Sequence, residues 1–288
     1  MENVFRSTRI TLEMIKWEHS IFALPFALTG AVLAANGWPT GRVTLWIIVC
    51  MIAARSAAMA FNRLVDSRLD AANPRTAQRA LPAGNLSQGF VISFTVLMVV
   101  LFVYASSRLN LLTLELSPLA LLVVLAYSYM KRITRWSHVV LGLALGIAPS
   151  AAWIAVRGSL SARIVVLTAI VILWVGGFDV LYACQDFEHD RRVGLKSVPQ
   201  AFGLEKAFWI ARSMHVGMVL LLFVLAHLFG MGWIAGVGFG IVGALLLYEH
   251  LVISPSDLSR MNAAFFTLNG IISVVFFLAV AGDLYHRR

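Results

Sequence analysis

Apolar residues in this chain do not recur on one face of short amphipathic segments; they fill whole segments. Nine apolar runs, separated by polar or Gly/Pro breaks, lie at 21–35, 43–61, 90–106, 111–130, 139–156, 164–184, 208–229, 233–253 and 263–281. Most are about 17 to 22 residues long, the length of helix that crosses the hydrocarbon layer of a bilayer. The first is shorter, and residues 17–20 are predicted to extend it. Backbone amides in lipid must be satisfied within the segment, so each run is read as a helix. The pattern predicts an all-α integral membrane protein, a bundle of nine transmembrane helices in a single membrane-embedded domain over 1–288.

Composition agrees: 60% of the 288 residues are hydrophobic and 13% charged, against about half apolar in an ordinary soluble domain. A formal net charge of +9 raises the question of nucleic acid. The basic residues, however, stand in short segments between the runs, so they read as membrane orientation and not as a nucleic-acid surface. Nine spans put the termini on opposite sides. Of the 23 Lys and Arg residues, Arg42, Arg108, Arg157, Arg163, Arg287 and Arg288 then fall on one side, and the others on or near the side of the N-terminus. The positive-inside rule makes that side cytoplasmic. The first 20 residues lack a cleavage-site pattern or a long Arg/Ser-rich stretch, which suggests direct insertion into a prokaryotic plasma membrane. Cys50 and Cys184 lie inside apolar runs without metal-ligand spacing and read as packing residues.

Two connections are long and polar, 62–89 and 185–206, and both fall on the presumed cytoplasmic side, where function is expected to concentrate. Each starts with an Asp-rich helix end, passes through Arg and Lys, and closes with Pro and Gly, a similarity that suggests a diverged internal repeat of about four helices. In the first, Asn62, Asp66 and Asp70 recur every four residues and so stack on one helical face. Carboxylates stacked this way repel one another unless a cation lies against them, and oxygen-only ligands suit magnesium bridged to phosphates. An ordinary solvated helix end is the alternative. In the second, Asp179, Tyr182, Asp186 and Asp190 share a stripe from which Glu188 points away. Asp179 lies within the apolar run, where an ionisable residue is a functional candidate or a structural partner of an arginine. Arg55, seven residues before Asn62, faces the same way; it either grips diphosphate oxygens or neutralises Asp66 or Asp179. Arg79 and Lys196, just before the Pro/Gly closures, are the preferred phosphate contacts. Tyr127 and Lys131 stand one turn apart where the fourth run ends, and Lys16, Glu18 and His19 near the first run are further candidates for the cavity mouth.

Taken together, these residues resemble the UbiA superfamily of intramembrane prenyltransferases over the whole chain. The family's first motif, N-D-x-x-D-x-x-x-D, is matched by Asn62, Asp66 and Asp70, with Arg63 in place of the usual second-position Asp. Asp186 and Asp190 match its D-x-x-x-D, and Tyr127 and Lys131 its Y-x-x-x-K. The Arg63 departure, the segment 17–26 and the segment 73–84 look like the 4-hydroxybenzoate polyprenyltransferase branch and its relatives in the futalosine route to menaquinone. The resemblance implies a helical bundle around a central cavity. It implies that Asn62, Asp66, Asp70, Asp186 and Asp190 hold magnesium against a polyprenyl diphosphate whose binding and departure Tyr127 and Lys131 support, while Arg55, Arg79 and Lys196 are candidate diphosphate contacts by position, with the neutralising alternative for Arg55 open. It further implies that Lys131 and Tyr127 take part in transfer to a small aromatic acid in ubiquinone or menaquinone synthesis; Asp179, by its position, either orients or deprotonates that acceptor or pairs with Arg55. A secondary transporter would place its binding groups near the bilayer midplane, and a head-group transferase would carry a D-G-x-x-A-R start that is missing here.

Overall fold

The computed structural model describes residues 2–16, 20–261 and 264–287. Its helices in chain order are α1 (Glu2–Ile15), α2 (Ser20–Ala35), α3 (Gly41–Ala72), α4 (Gln88–Ser107), α5 (Leu111–Ile133), α6 (Ser137–Arg157), α7 (Ala162–Ala183), α8 (Phe187–Val193), α9 (Val198–Phe202), α10 (Leu204–Phe229), α11 (Trp233–Val252) and α12 (Asn269–His286). A 3-10 turn, Cys184–Asp186, joins α7 to α8, and a π-helical turn, Ala264–Leu268, precedes α12. Among the described residues, eight helical segments are long and apolar enough to cross a membrane, and α2 adds the shorter apolar helix Ala23–Ala35. The nine-span reading therefore stands, and α1 is an additional helix that the apolar pattern did not mark. Trp17, Glu18 and His19 lie outside the described residues.

Helix starts follow local chemistry. The side chains of Thr40, Ser87, Asn110 and Ser161 accept hydrogen bonds from the amides of Val43, Phe90, Thr113 and Arg163, satisfying donors that a first turn leaves without partners. At the opposite end of the chain, buried Asp283 of α12 accepts from Gly232 N at 3.0 Å and Ala235 N at 3.3 Å, capping α11 from a neighbouring helix.

Boundaries depart from the apolar runs where charge begins. The second run stops at Phe61, yet α3 continues to Ala72, so Asn62, Asp66 and Asp70 lie on a continuous helix and the connection starts only at Asn73. Ion pairs and hydrogen bonds from other elements stabilise that polar extension, as detailed below. At the other polar connection, the turn and α8 likewise carry Asp186 and Asp190 on helical backbone.

In the core, α2 is packed between α6 and α12, with Phe26 against Trp174 (centroids 4.9 Å apart) and Phe276 (4.8 Å). Helices approach closely at glycines: a Cβ on Gly30 would lie 2.2 Å from the Pro149 carbonyl oxygen, and one on Gly142 would lie 2.6 Å from that of Ile172. Gly142 and Gly146 form the small-xxx-small pattern that lets membrane helices meet backbone to backbone, and they draw α6 onto α7. Between α3, α5, α6 and α7 the packing opens into a cavity of about 1260 Å³.

Candidate active site

Two four-residue steps along α3 bring Asn62, Asp66 and Asp70 to the mouth of this cavity. Asp66 is 2% exposed. Its Oδ2 receives Lys131 Nζ at 2.7 Å and Asn62 Nδ2 at 3.0 Å, and its Oδ1 receives an Arg132 NH2 bond at 3.1 Å. Lys131 and Arg132 end α5, so the end of one span neutralises the carboxylate of another. One turn on, Asp70 Oδ1 pairs with Arg79 at 2.8 Å, with Arg63 at 3.9 Å from Oδ2. That Oδ2 is buried without a hydrogen-bond partner.

From the other side, the turn after α7 carries Asp186 to the same mouth. The guanidinium of Arg75 grips both its oxygens, Nε to Oδ1 at 2.8 Å and NH2 to Oδ2 at 2.5 Å, and Asn73 Nδ2 donates to Oδ1 at 3.2 Å. Arg75 also reaches the Tyr182 hydroxyl at 3.3 Å. Burial works against the charge on Arg75, but the hydrogen bonds and charge of Asp186 and Tyr182 outweigh it and hold its pKa above the ordinary arginine value. The 73–79 segment thus straps the α3 end to the α7 end. Asp190 lines the same mouth, while Glu188 is exposed and directed away.

Deeper in the cavity, Asp179 Oδ2 is 2.7 Å from His138 Nδ1, near the start of α6. Arg55 lines the cavity two turns below Asn62. Neither neutralising role considered for it appears, since Asp66 is held by Lys131 and Arg132 and Asp179 by His138; Arg55 Nε is buried without a partner. Tyr127 lines the wall one turn before Lys131. Lys196, a preferred phosphate contact by sequence, lines the cavity; its Nζ donates to Ile133 O at 3.0 Å and its amide to Lys131 O at 2.7 Å, capping the carbonyls that end α5. Of the candidates near the first run, Lys16 lines the cavity, whereas Glu18 and His19 fall outside the described residues.

Sequence reasoning missed His138 and the particular partnerships of Asn73, Arg75 and Arg132. One signal for His138 was legible: it stands four residues before Gly142 and eight before Gly146, on the α6 face drawn against α7.

The donor set suits a hard divalent cation. All five candidate ligands offer oxygen and lie at one mouth, and Asp70 Oδ2 is buried without a hydrogen bond, with Arg63 3.9 Å away. Among the described residues no three His, Cys, Asp or Glu side chains converge to enclose a metal alone.

A model of the UbiA prenyltransferase family matches residues 23–271. The 4-hydroxybenzoate octaprenyltransferase of Psychromonas ingrahamii is 32% identical over 245 residues, 85% of either chain. The like-named protein of Salmonella newport is 30% identical over 268 residues, covering 86% of this chain and 90% of its own. Among solved structures, the apo form of a UbiA homolog from Aeropyrum pernix K1 superposes with a TM-score of 0.84 at 30% identity, covering 92% of this chain and 98% of its own. A UbiA homolog from Archaeoglobus fulgidus bound to DMAPP and Mg2+ superposes at 0.74 over 96% of this chain and 99% of its own. Its identity, 17%, makes that a likeness of fold alone.

Proposed function

Because the chain belongs to the UbiA prenyltransferase family, we propose that it transfers a polyprenyl group from a polyprenyl diphosphate to the ring of a carboxylated hydroxyaromatic acid, 4-hydroxybenzoate, in quinone synthesis. One observation carries this reading: two Asp-bearing helix ends meet at the polar mouth of a cavity whose remaining wall is mostly apolar. A substrate with a charged diphosphate head and a long apolar tail matches that division, and the names of the curated relatives supply the acceptor.

In this reading Asn62, Asp66, Asp70, Asp186 and Asp190 hold magnesium, which supplies Lewis-acid neutralisation of the leaving diphosphate. Lys131 and Arg79, already at 2.7 and 2.8 Å from the acidic set, balance charge as the allylic carbon–oxygen bond breaks and its electron pair leaves with the diphosphate. Tyr127 supports the same head group from the wall. The ring carbon beside the phenolic oxygen attacks the allylic carbon, the new carbon–carbon bond forms, and the displaced ring hydrogen leaves as a proton. Asp179, below the mouth, orients the acceptor's hydroxyl and accepts its proton, which raises the electron density of that ring carbon. Arg55 lies deeper than the acidic set and serves a substrate anion, either diphosphate or the acceptor's carboxylate. The apolar wall excludes water that would capture the allylic centre. The Lys/Arg distribution supports a plasma-membrane protein with this mouth facing the cytoplasm.

The test is to incubate membranes carrying the protein with polyprenyl diphosphate and either 4-hydroxybenzoate or a carboxylated dihydroxynaphthalene, then weigh the products. Prenylated 4-hydroxybenzoate with release of diphosphate is expected. Prenylation of the naphthalene alone overturns the acceptor, and uptake of either compound without diphosphate release overturns the reaction.

A further inference from the structure

The reaction as proposed needs Asp179 held in one orientation, and α7 alone does not hold it. The carboxylate is on a helix wall, half-buried, with freedom about its own side-chain bonds. Its partner comes from α6: His138, 4% exposed, places Nδ1 at 2.7 Å from Asp179 Oδ2. The other ring nitrogen settles which atom carries the hydrogen. Nε2 lies 3.2 Å from the amide nitrogen of Val198, and a backbone amide only donates. Nε2 is therefore the acceptor, and the hydrogen of the neutral ring is on Nδ1, pointed at Asp179. One oxygen of Asp179 is engaged, and its other oxygen is left to the cavity.

The same ring ties Asp179 to the polar connection that carries the second acidic pair. Val198 opens α9, so its amide has no partner within its own helix, and His138 satisfies it. Two residues earlier, the Lys196 amide is bonded to Lys131 O at 2.7 Å. The segment following Asp190 is thereby fastened at successive points to α5, which carries Lys131, and to α6, which carries His138. Close approach of α6 and α7 at Gly142 and Gly146 makes the reach of the His138 ring to Asp179 possible.

We propose that His138 is a positioning residue for prenyl transfer: it orients the Asp179 carboxylate toward the acceptor and couples that orientation to the connection between Asp190 and α9. This rests on the role given to Asp179 above. Both ring nitrogens of His138 are engaged by the protein, Nδ1 by Asp179 and Nε2 by Val198, so its removal acts first through Asp179, on the acceptor side of the reaction. Glutamine is the informative replacement, because its amide NH2 can donate to Asp179 while its carbonyl accepts from Val198; leucine can do neither.

The experiment compares His138→Gln, His138→Leu, Asp179→Asn and the double variant Asp179→Asn/His138→Leu, purified in lipid nanodiscs, with kcat and KM read separately for 4-hydroxybenzoate and for polyprenyl diphosphate. His138→Leu is expected to lower kcat/KM for the acceptor about tenfold, the worth of one buried hydrogen bond to a charged group, with a smaller change in the KM for diphosphate. His138→Gln is expected to recover most of the loss, and His138→Leu to have no further effect in the Asp179→Asn background. If Asp179→Asn is impaired but the two losses multiply, His138 does not act through Asp179 and the proposal fails while the role of Asp179 stands. If Asp179→Asn turns over normally, both fail. Should His138→Leu not fold, His138→Gln decides: activity equal to that of Asp179→Asn overturns the proposal, and near-normal activity supports it.

Discussion

Asp66 shows how much the individual residue owes to its surroundings. Buried carboxylates are tolerated when paired, and this one meets an ammonium, a guanidinium and an amide at 2.7 to 3.1 Å. Asp66→Asn keeps the shape and removes the charge. Prenyl transfer in membranes is expected to fall at least about 100-fold, the order seen when one preorganised electrostatic group is lost, and chelation of magnesium is expected to have the same effect on the unmodified protein. Normal turnover by correctly inserted Asp66→Asn would remove Asp66 from the metal set. Arg75 gives a contrasting case, since it touches Asp186 and Tyr182 and nothing requires it to touch substrate. Arg75→Ala is expected to raise the KM for diphosphate about tenfold by freeing Asp186, consistent with the loss of a bidentate charge-assisted contact, and to leave the acceptor KM unaltered. Residue types were legible at this scale: acids spaced by four, and a Tyr and Lys one turn apart. Partners were not, because Arg75 and Asp186 are 111 positions apart and nothing local matches them.

Helices were read from the apolar runs and found close to where the runs lie, since a lipid-crossing segment has one backbone solution. Their polar extensions were legible as helix ends from the four-residue spacing of the acids, but not the cations that stabilise 62–72 as helix, which α5 and the segment following α3 deliver. Glycine shows the same division within one element type. Gly142 is pressed against Ile172, whereas a Cβ on Gly236 of α11 meets nothing within 4 Å. Gly142→Leu is expected to force α6 from α7, to destabilise by about 1–3 kcal/mol or more as overpacking does, and to abolish transfer by separating His138 from Asp179. Gly236→Ala is expected to be neutral or to stabilise by about 0.5–1 kcal/mol through helix propensity. Thermal unfolding in detergent with parallel activity measurements distinguishes the two, and equal behaviour would contradict the packing account.

At the scale of the whole molecule, the cavity joins a charged mouth to an apolar depth, and α6 spans both. Ala151 lies thirteen residues beyond His138 on that helix, about 20 Å deeper at 1.5 Å per residue, and it is exposed on the cavity wall. Ala151→Phe is expected to stop transfer from a long polyprenyl diphosphate while preserving it from a short one such as dimethylallyl diphosphate, as read from product masses; equal loss with both lengths would show that the tail does not lie along α6. The charge asymmetry of the ends was legible from sequence, and the described members of the basic-poor set, from Arg42 to Arg287, do stand at the end away from the acidic mouth. The sequence by itself determined the spans, their alternation and the four-residue spacing of the acids, because these follow from bilayer thickness, helix rise and helix period, which act between near neighbours. Only the tertiary structure decided that Arg75 belongs to Asp186, that Lys196 caps α5 and that His138 holds Asp179, because those pairings depend on how close packed helices approach and on which groups arrive at the same depth.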